Sequence, residues 1–110
     1  MQVKGVLELY NDLFYLSDKR KKNDIEKIEN GLKKLEKINA YSFFMQDDEQ
    51  KRKRYGVVAQ EVMKTLPELV HTHEDGHLGV AYNGLIGILI DSVKELQRRI
   101  SHLENLLKIT

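Results

Sequence analysis

Few side chains in this 110-residue sequence can do chemistry, and they fall in three places. The first is Ser17-Asp18, followed by four consecutive basic residues, Lys19 to Lys22. Read alone, a serine before an aspartate and a basic run is a helix cap or loop start, its side-chain oxygen serving a backbone N–H. The second place is the trio His71, His73 and His77 around Asp75-Gly76. Two histidines two apart on a strand face the same side, as metal ligands do. Exposed hairpin histidines without a cysteine or carboxylate partner are ordinarily solvated, and Asp75 is committed to the turn, so no metal and no other cofactor is expected. The third place is DDEQKRKR at 47–54, where Lys51 to Arg54 form a basic patch with acidic counter-charges beside it, the pattern of a solvated loop. Cysteine is absent, which removes thiolate catalysis, thiolate zinc sites and disulfides.

The elements that must position these residues follow from hydropathy and turn signals. Residues 3–16, VKGVLELYNDLFYL, are apolar and partly alternating, and predict a strand or an extended arm. At Ser17 the composition turns abruptly polar, the sharpest boundary in the chain, because no packed strand buries four cations unpaired. Over 23–38, Asn23 with Glu26 would make a capping box for one long helix, but Asn30-Gly31 interrupts it. The interrupted version places Ile25 and Ile28 in an extended piece, with Asn30 opening a helix whose buried stripe is Leu32, Leu35 and Ile38. Tyr41 to Met45 and Tyr55 to Val58 read as strands flanking the 47–54 loop. Ala59 to Leu66 reads as a helix with Val62, Met63 and Leu66 at helical spacing, stopped by Pro67. Leu69 to Tyr82 is predicted to be a hairpin turning at Asp75-Gly76.

The clearest periodicity lies in residues 83–110. Ile86, Leu89, Val93, Leu96, Ile100, Leu103 and Leu107 alternate steps of three and four, a heptad with a at 86, 93, 100 and 107 and d at 89, 96 and 103. β-Branched a positions with leucine at d suit two strands, but Ile90 at e and Leu106 at g widen the apolar face towards three helices. Arg99 at g and Glu104 at the next e are placed to pair between parallel neighbours. The whole predicts an α+β chain: short strands and helices packed on a long C-terminal helix that forms a parallel trimeric coiled coil.

Bulk composition narrows the function. With no tryptophan and 7% aromatic residues, a single domain of this size has few large side chains to bury, so a partner chain is expected to supply stability. A formal net charge of +1 provides no field to draw the protein to nucleic acid or anionic lipid, and neither is expected as a partner. The apolar runs fall far short of the roughly 20 residues that span a bilayer, and Met1 to Lys4 lacks a signal peptide's layout.

Three blocks together resemble one family. Ser17, Asp18, Arg20 and Lys22 match a Ser-Asp-x-Arg-x-Lys pattern; Gly56, Ala59, Gln60, Glu61 and Val62, then Pro67, Glu68, Leu69 and Val70, match a central block; and Val80, Tyr82 and Leu85 match the lead into the final helix. The order and spacing resemble the C-terminal intramolecular chaperone domain of bacteriophage tailspikes, tail fibres, neck appendages and endosialidases. The resemblance covers residues 17–110. It implies a homotrimer that helps an upstream fibre or spike segment of the same polypeptide to fold, in the host cytoplasm during virion assembly. It also implies that the domain then releases itself by a Ser-Lys autoproteolysis, leaving residues 1–16 as the end of the cargo.

By the same resemblance Ser17 is the nucleophile, Lys22 the base, and the bond between Leu16 and Ser17 the one cut. A serine hydroxyl needs a neighbouring base, and an amine serves only when burial or nearby cations make it neutral. Lys19, Arg20 and Lys21 are such cations. Asp18 and Arg20 are supporting candidates within the motif. Gln60 and Glu61 either orient Lys22 and serve the oxyanion or anchor their own helix. The alternative function is a coiled-coil oligomerisation module that is never cut.

Overall fold

The computed structural model describes residues 5–109. Its elements are α1 (Gly31–Leu35), β1 (Tyr41–Phe43), β2 (Arg54–Gly56), α2 (Ala59–Met63), β3 (Val70–Thr72), β4 (Leu78–Val80) and α3 (Tyr82–Ile109), an α+β arrangement with short 3-10 turns at Lys19–Lys21 and Pro67–Leu69. Residues 5–16 carry no regular secondary structure and are exposed throughout. Of the two forms predicted for this segment, the extended arm is therefore the one present. Among the described residues no strand pairs with it to take its N–H and C=O groups, which a ladder requires.

Both predicted hairpins form, with shorter strands than their apolar runs. β1 and β2 are antiparallel, pairing Tyr41 with Gly56 and Phe43 with Arg54, and β3 and β4 pair Val70 with Val80 and Thr72 with Leu78. At the second tip the His73 N–H donates to the His77 carbonyl at 2.8 Å and Gly76 adopts φ 88°, the left-handed conformation glycine accepts without a Cβ clash. The 47–54 loop is organised by Asp48. Its carboxylate takes the Gln50 N–H at 3.1 Å and the Arg52 Nε at 3.0 Å, so the acidic triplet does supply a counter-charge to the basic run.

The core is small. Val62, Leu66, Leu85 and Ile88 are the buried apolar side chains, with Leu35, Ile38, Val57, Leu69, Val70 and Val80 packed on them. Two expectations are corrected. Met63 shares the predicted stripe of Val62 and Leu66 but is 38% exposed, because α2 ends at Met63 and Leu66 reaches the core through a turn in which its N–H bonds the Val62 carbonyl at 2.8 Å. Pro67 stops this segment and opens the next turn, where its missing N–H costs nothing. Asn30 precedes α1 in left-handed geometry, φ 60°, and its side chain caps nothing. The first helical N–H, from Gly31, instead donates to Asp91 Oδ2 of α3 at 2.9 Å. Gly31 is buried there, and a Cβ would lie 2.6 Å from that oxygen, so only glycine lets α1 approach α3 this closely.

α3 has two apolar faces. Leu85, Ile88 and Ser92 face the domain and are buried, the Ser92 hydroxyl donating to the Ile88 carbonyl at 2.8 Å. The heptad residues Ile86, Leu89, Val93, Leu96, Ile100, Leu103 and Leu107 are 44% to 74% exposed, as are Ile90 and Leu106 within that range. The heptad gave no hint of the first face. Past Glu95 every described side chain up to Lys108 is exposed. The radius of gyration is accordingly 18.3 Å, against about 13 Å for a compact domain of this length. Within the single chain the Arg99 Nε donates to Glu95 of its own helix at 3.3 Å.

Candidate active site

Ser17 and Lys22, five residues apart, are brought together by one 3-10 turn. Asp18 enters it with extended geometry (φ −70°, ψ 131°), and its side chain accepts the Arg20 N–H at 2.8 Å. The Lys21 N–H then donates to the Asp18 carbonyl at 3.0 Å and the Lys22 N–H to the Lys19 carbonyl at 3.1 Å. Lys22 leaves the turn extended, and its flexible stem returns so that Nζ donates to Ser17 Oγ at 2.7 Å. The cap reading of this segment was therefore right about the geometry and wrong about the residue: Asp18 is the cap, which leaves the Ser17 hydroxyl for Lys22.

The charges around the pair are less one-sided than the basic run suggests. The Arg20 guanidinium grips Asp18 with Nη2 at 2.8 Å from Oδ2 and Nε at 3.1 Å from Oδ1. The guanidinium first, and then the Arg20 N–H, hold the Asp18 carboxyl below the usual carboxylate range, while the same carboxylate raises the Arg20 pKa. Arg20 is thus compensated, and Lys19 and Lys21 remain as the neighbouring cations without an ion-pair partner among the described residues. Asp18 has both oxygens committed to Arg20 and does not bond Ser17. Lys22 is the basic group in contact with the hydroxyl. Both Ser17 and Lys22 are exposed.

Gln60 and Glu61 lie elsewhere in the hydrogen-bond network. Glu61 accepts the Asn39 N–H through Oε1 and the Tyr41 hydroxyl through Oε2 at 2.8 Å, tying α2 to the segment that enters β1. The Asn39 amide and then the Tyr41 hydroxyl lower the Glu61 pKa, and the carboxylate in turn raises that of Tyr41. Among the described residues neither Gln60 nor Glu61 bonds Ser17 or Lys22. In the chain as it stands Glu61 is an anchor of its helix, one of the two roles left open from sequence.

Two residues that sequence reasoning left without a role join the family-like blocks. The Tyr82 hydroxyl accepts the Val57 N–H at 3.2 Å, and a Cβ on Gly56 would lie 2.5 Å from it, which links the central block to the start of α3. Asp91 has already appeared at the N-terminus of α1. Glycines 31 and 56, each opposite a long-range polar group, were the available signals.

The histidines divide. His71 and His73 meet edge to face at 5.2 Å, while His77 Nδ1 lies 3.0 Å from Asp75 Oδ2, which raises the histidine's pKa and lowers the carboxyl's. Among the described residues no group of three or more histidine, cysteine or acidic side chains could hold a metal ion, and no helix is long and apolar enough to cross a membrane.

Residues 17–71 match the family described as chaperone of endosialidase, and the match begins at the serine of the Ser17–Lys22 pair. The chain is similar to Long tail fiber protein Gp37 of Escherichia phage AR1, 40% identical over an alignment of 92 residues that covers 76% of this chain and 8% of that protein. It is also similar to Long tail fiber protein Gp37 of Salmonella phage S16, 32% identical over 113 aligned residues covering 88% of this chain and 15% of that protein. The protein of the same name in Enterobacteria phage M1 is 29% identical over 103 residues, 86% of this chain and 41% of the relative. The chain therefore spans less than half the length of each of these relatives.

Proposed function

The chain belongs to the chaperone-of-endosialidase family, and from that premise we propose that residues 17–110 are an intramolecular chaperone for a phage tail fibre. In this reading the domain trimerises through the helix of residues 83–110 and brings three copies of an upstream fibre segment into register. It then releases itself by cutting between Leu16 and Ser17, so that residues 1–16 stay with the fibre. It acts in the host cytoplasm during virion assembly and is absent from the finished fibre.

The observation that carries the reading is the 2.7 Å contact of Lys22 Nζ with Ser17 Oγ, adjacent to the bond to be cut. Neutral Lys22 takes the hydroxyl proton while Oγ attacks the Leu16 carbonyl carbon. As the carbon–nitrogen bond breaks, the same proton passes to the departing Ser17 nitrogen and leaves a Leu16 ester on Oγ. Water then hydrolyses the ester, giving a Leu16 carboxylate and a free serine. The exposed heptad stripe supports the assembly half of the reading, because it is apolar surface that the single chain does not cover. Fibrous β-structures pair residues distant in sequence and fold slowly, so a local helix bundle that sets stoichiometry and register first lowers the encounter cost.

Intact mass and light scattering on one purified sample test both halves. The wild-type chain of 12.8 kDa is expected to separate at Leu16–Ser17, and Ser17→Ala and Lys22→Ala to remain whole, with trimer mass in solution for all three. A wild-type trimer that stays whole would sink the cleavage. That result would favour the second reading, a non-cleaving oligomerisation module, which is supported by the exposure of both Ser17 and Lys22 to water.

A further inference from the structure

We propose that Asp18 is a positioning residue for the Ser17–Lys22 pair: its carboxylate, clamped by Arg20, holds the one turn that points Lys22 Nζ at Ser17 Oγ. The inference rests on the reading of Ser17 and Lys22 given above and adds to it the part that sets their distance.

The geometry is closed within six residues. Asp18 Oδ1 accepts the Arg20 N–H at 2.8 Å, which fixes the backbone at the entrance of the turn. The Arg20 side chain then folds back, Nε lying 3.1 Å from Oδ1 and 3.2 Å from Oδ2, and Nη2 2.8 Å from Oδ2. One carboxylate therefore bonds the main chain and the side chain of the same residue, a fork that only a planar guanidinium fills. With Arg20 locked, the two backbone bonds that follow, from Lys21 to Asp18 and from Lys22 to Lys19, carry the chain round to the start of the lysine stem.

Nothing else does this job. Lys19 to Lys21 contains no buried residue, and the turn draws no hydrogen bond from the rest of the described chain. A three-residue 3-10 turn on an exposed surface is not stable by itself. Without the clamp Lys22 is one long solvated side chain among four cations. Since Asp18 offers no free oxygen to Ser17, it acts through Lys22 and not on the reacting atoms.

The test compares Asp18→Ala, Asp18→Asn and Arg20→Lys with wild type in full-length protein, reading cleavage by intact mass and backbone amide exchange by NMR. Misplacing a catalytic group by about 1 Å costs on the order of 100-fold, and that loss is expected for Asp18→Ala. Asp18→Asn keeps an oxygen for the Arg20 N–H but has only one acceptor for the guanidinium, and Arg20→Lys keeps the cap but cannot make the fork, so both are expected to cut at rates between those of Asp18→Ala and wild type. Exchange at the Arg20, Lys21 and Lys22 amides should speed up in Asp18→Ala while the Leu66 and Ser92 amides keep their protection, which separates lost positioning from lost fold. Asp18→Ala cutting at the wild-type rate overturns the inference. If the wild-type chain is never cut, the reading of the site falls, and exchange at the turn still decides this point: protection at Lys21 and Lys22 unchanged in Asp18→Ala overturns it as well.

Discussion

The turn that joins Ser17 to Lys22 and the shelf where α1 meets α3 are built in opposite ways. In the turn every hydrogen bond links residues five or fewer apart, and the groups are exposed. At the shelf one bond, Gly31 to Asp91, spans 60 positions and sits against a buried glycine, next to a core drawn from residues 62 to 88. The difference teaches that the reactive geometry is written locally and the domain non-locally. The Ser17–Lys22 geometry therefore draws on no hydrogen bond to the core among the described residues.

The severest way to break this contrast is through the core. Leu66 is 2% exposed, and truncating a side chain this well buried costs about 2–5 kcal/mol, a large part of the roughly 5–15 kcal/mol that folds a domain. Denaturant unfolding of Leu66→Ala is expected to show that loss, while Arg20 to Lys22 amide exchange stays as in wild type. A turn that melts together with the core would refute local encoding.

A smaller effect is expected at the shelf itself. In Gly31→Ala the new Cβ would come within 2.6 Å of Asp91 Oδ2 and 3.1 Å of the Ile88 carbonyl oxygen. Either the Asp91 carboxylate swings away and gives up the Gly31 N–H or α1 moves off α3, at a cost of about 1–3 kcal/mol typical of overpacking. Thermal melts measure it, and a neutral outcome would mean that the two helices are not held in close contact.

The smallest expected effect lies at the second hairpin tip, another local device. The Asp75 carboxylate raises the His77 pKa, so the pair's contribution is full below histidine's ordinary value of about 6.5 and fades as pH rises through the higher folded value. Asp75 is lowered by His77, and on its side the contribution is present above the ordinary aspartate range and fades as pH falls through the lower folded value. His77 should therefore titrate above 6.5 by NMR, returning to the ordinary range in Asp75→Asn. With side chains 87% and 66% exposed, the pair should barely move overall stability, and a large change in melting temperature would show that the tip is coupled to the core.

What sequence could reach follows the same division. Asp75-Gly76 fixed one hairpin, Pro67 opened the turn that follows α2, and the three-four rhythm marked α3, because each signal lies within a few residues of what it determines. The second face of α3 was hidden, since Leu85 and Ile88 fall between the heptad positions and Ser92 is polar until its hydroxyl finds the Ile88 carbonyl. Asp91 had no visible task, because its partner lies 60 residues away. In the site, motif resemblance picked out Ser17 and Lys22, but a run of letters cannot show that one cation in four is neutralised by its neighbour two residues back. Arg20 counts as a charge in composition and as half of a clamp in space.

The position of the core along the chain sets a schedule. Val62 and Leu66 have no buried partners until Leu85 and Ile88 exist, so a growing chain cannot close its core before the first half of α3 has been made. The Ser17 turn asks for nothing beyond Lys22 and can form long before that. On the proposed reading, a pair shaped this early cannot serve as its own clock, and any delay between synthesis and cutting must come from outside residues 17–22.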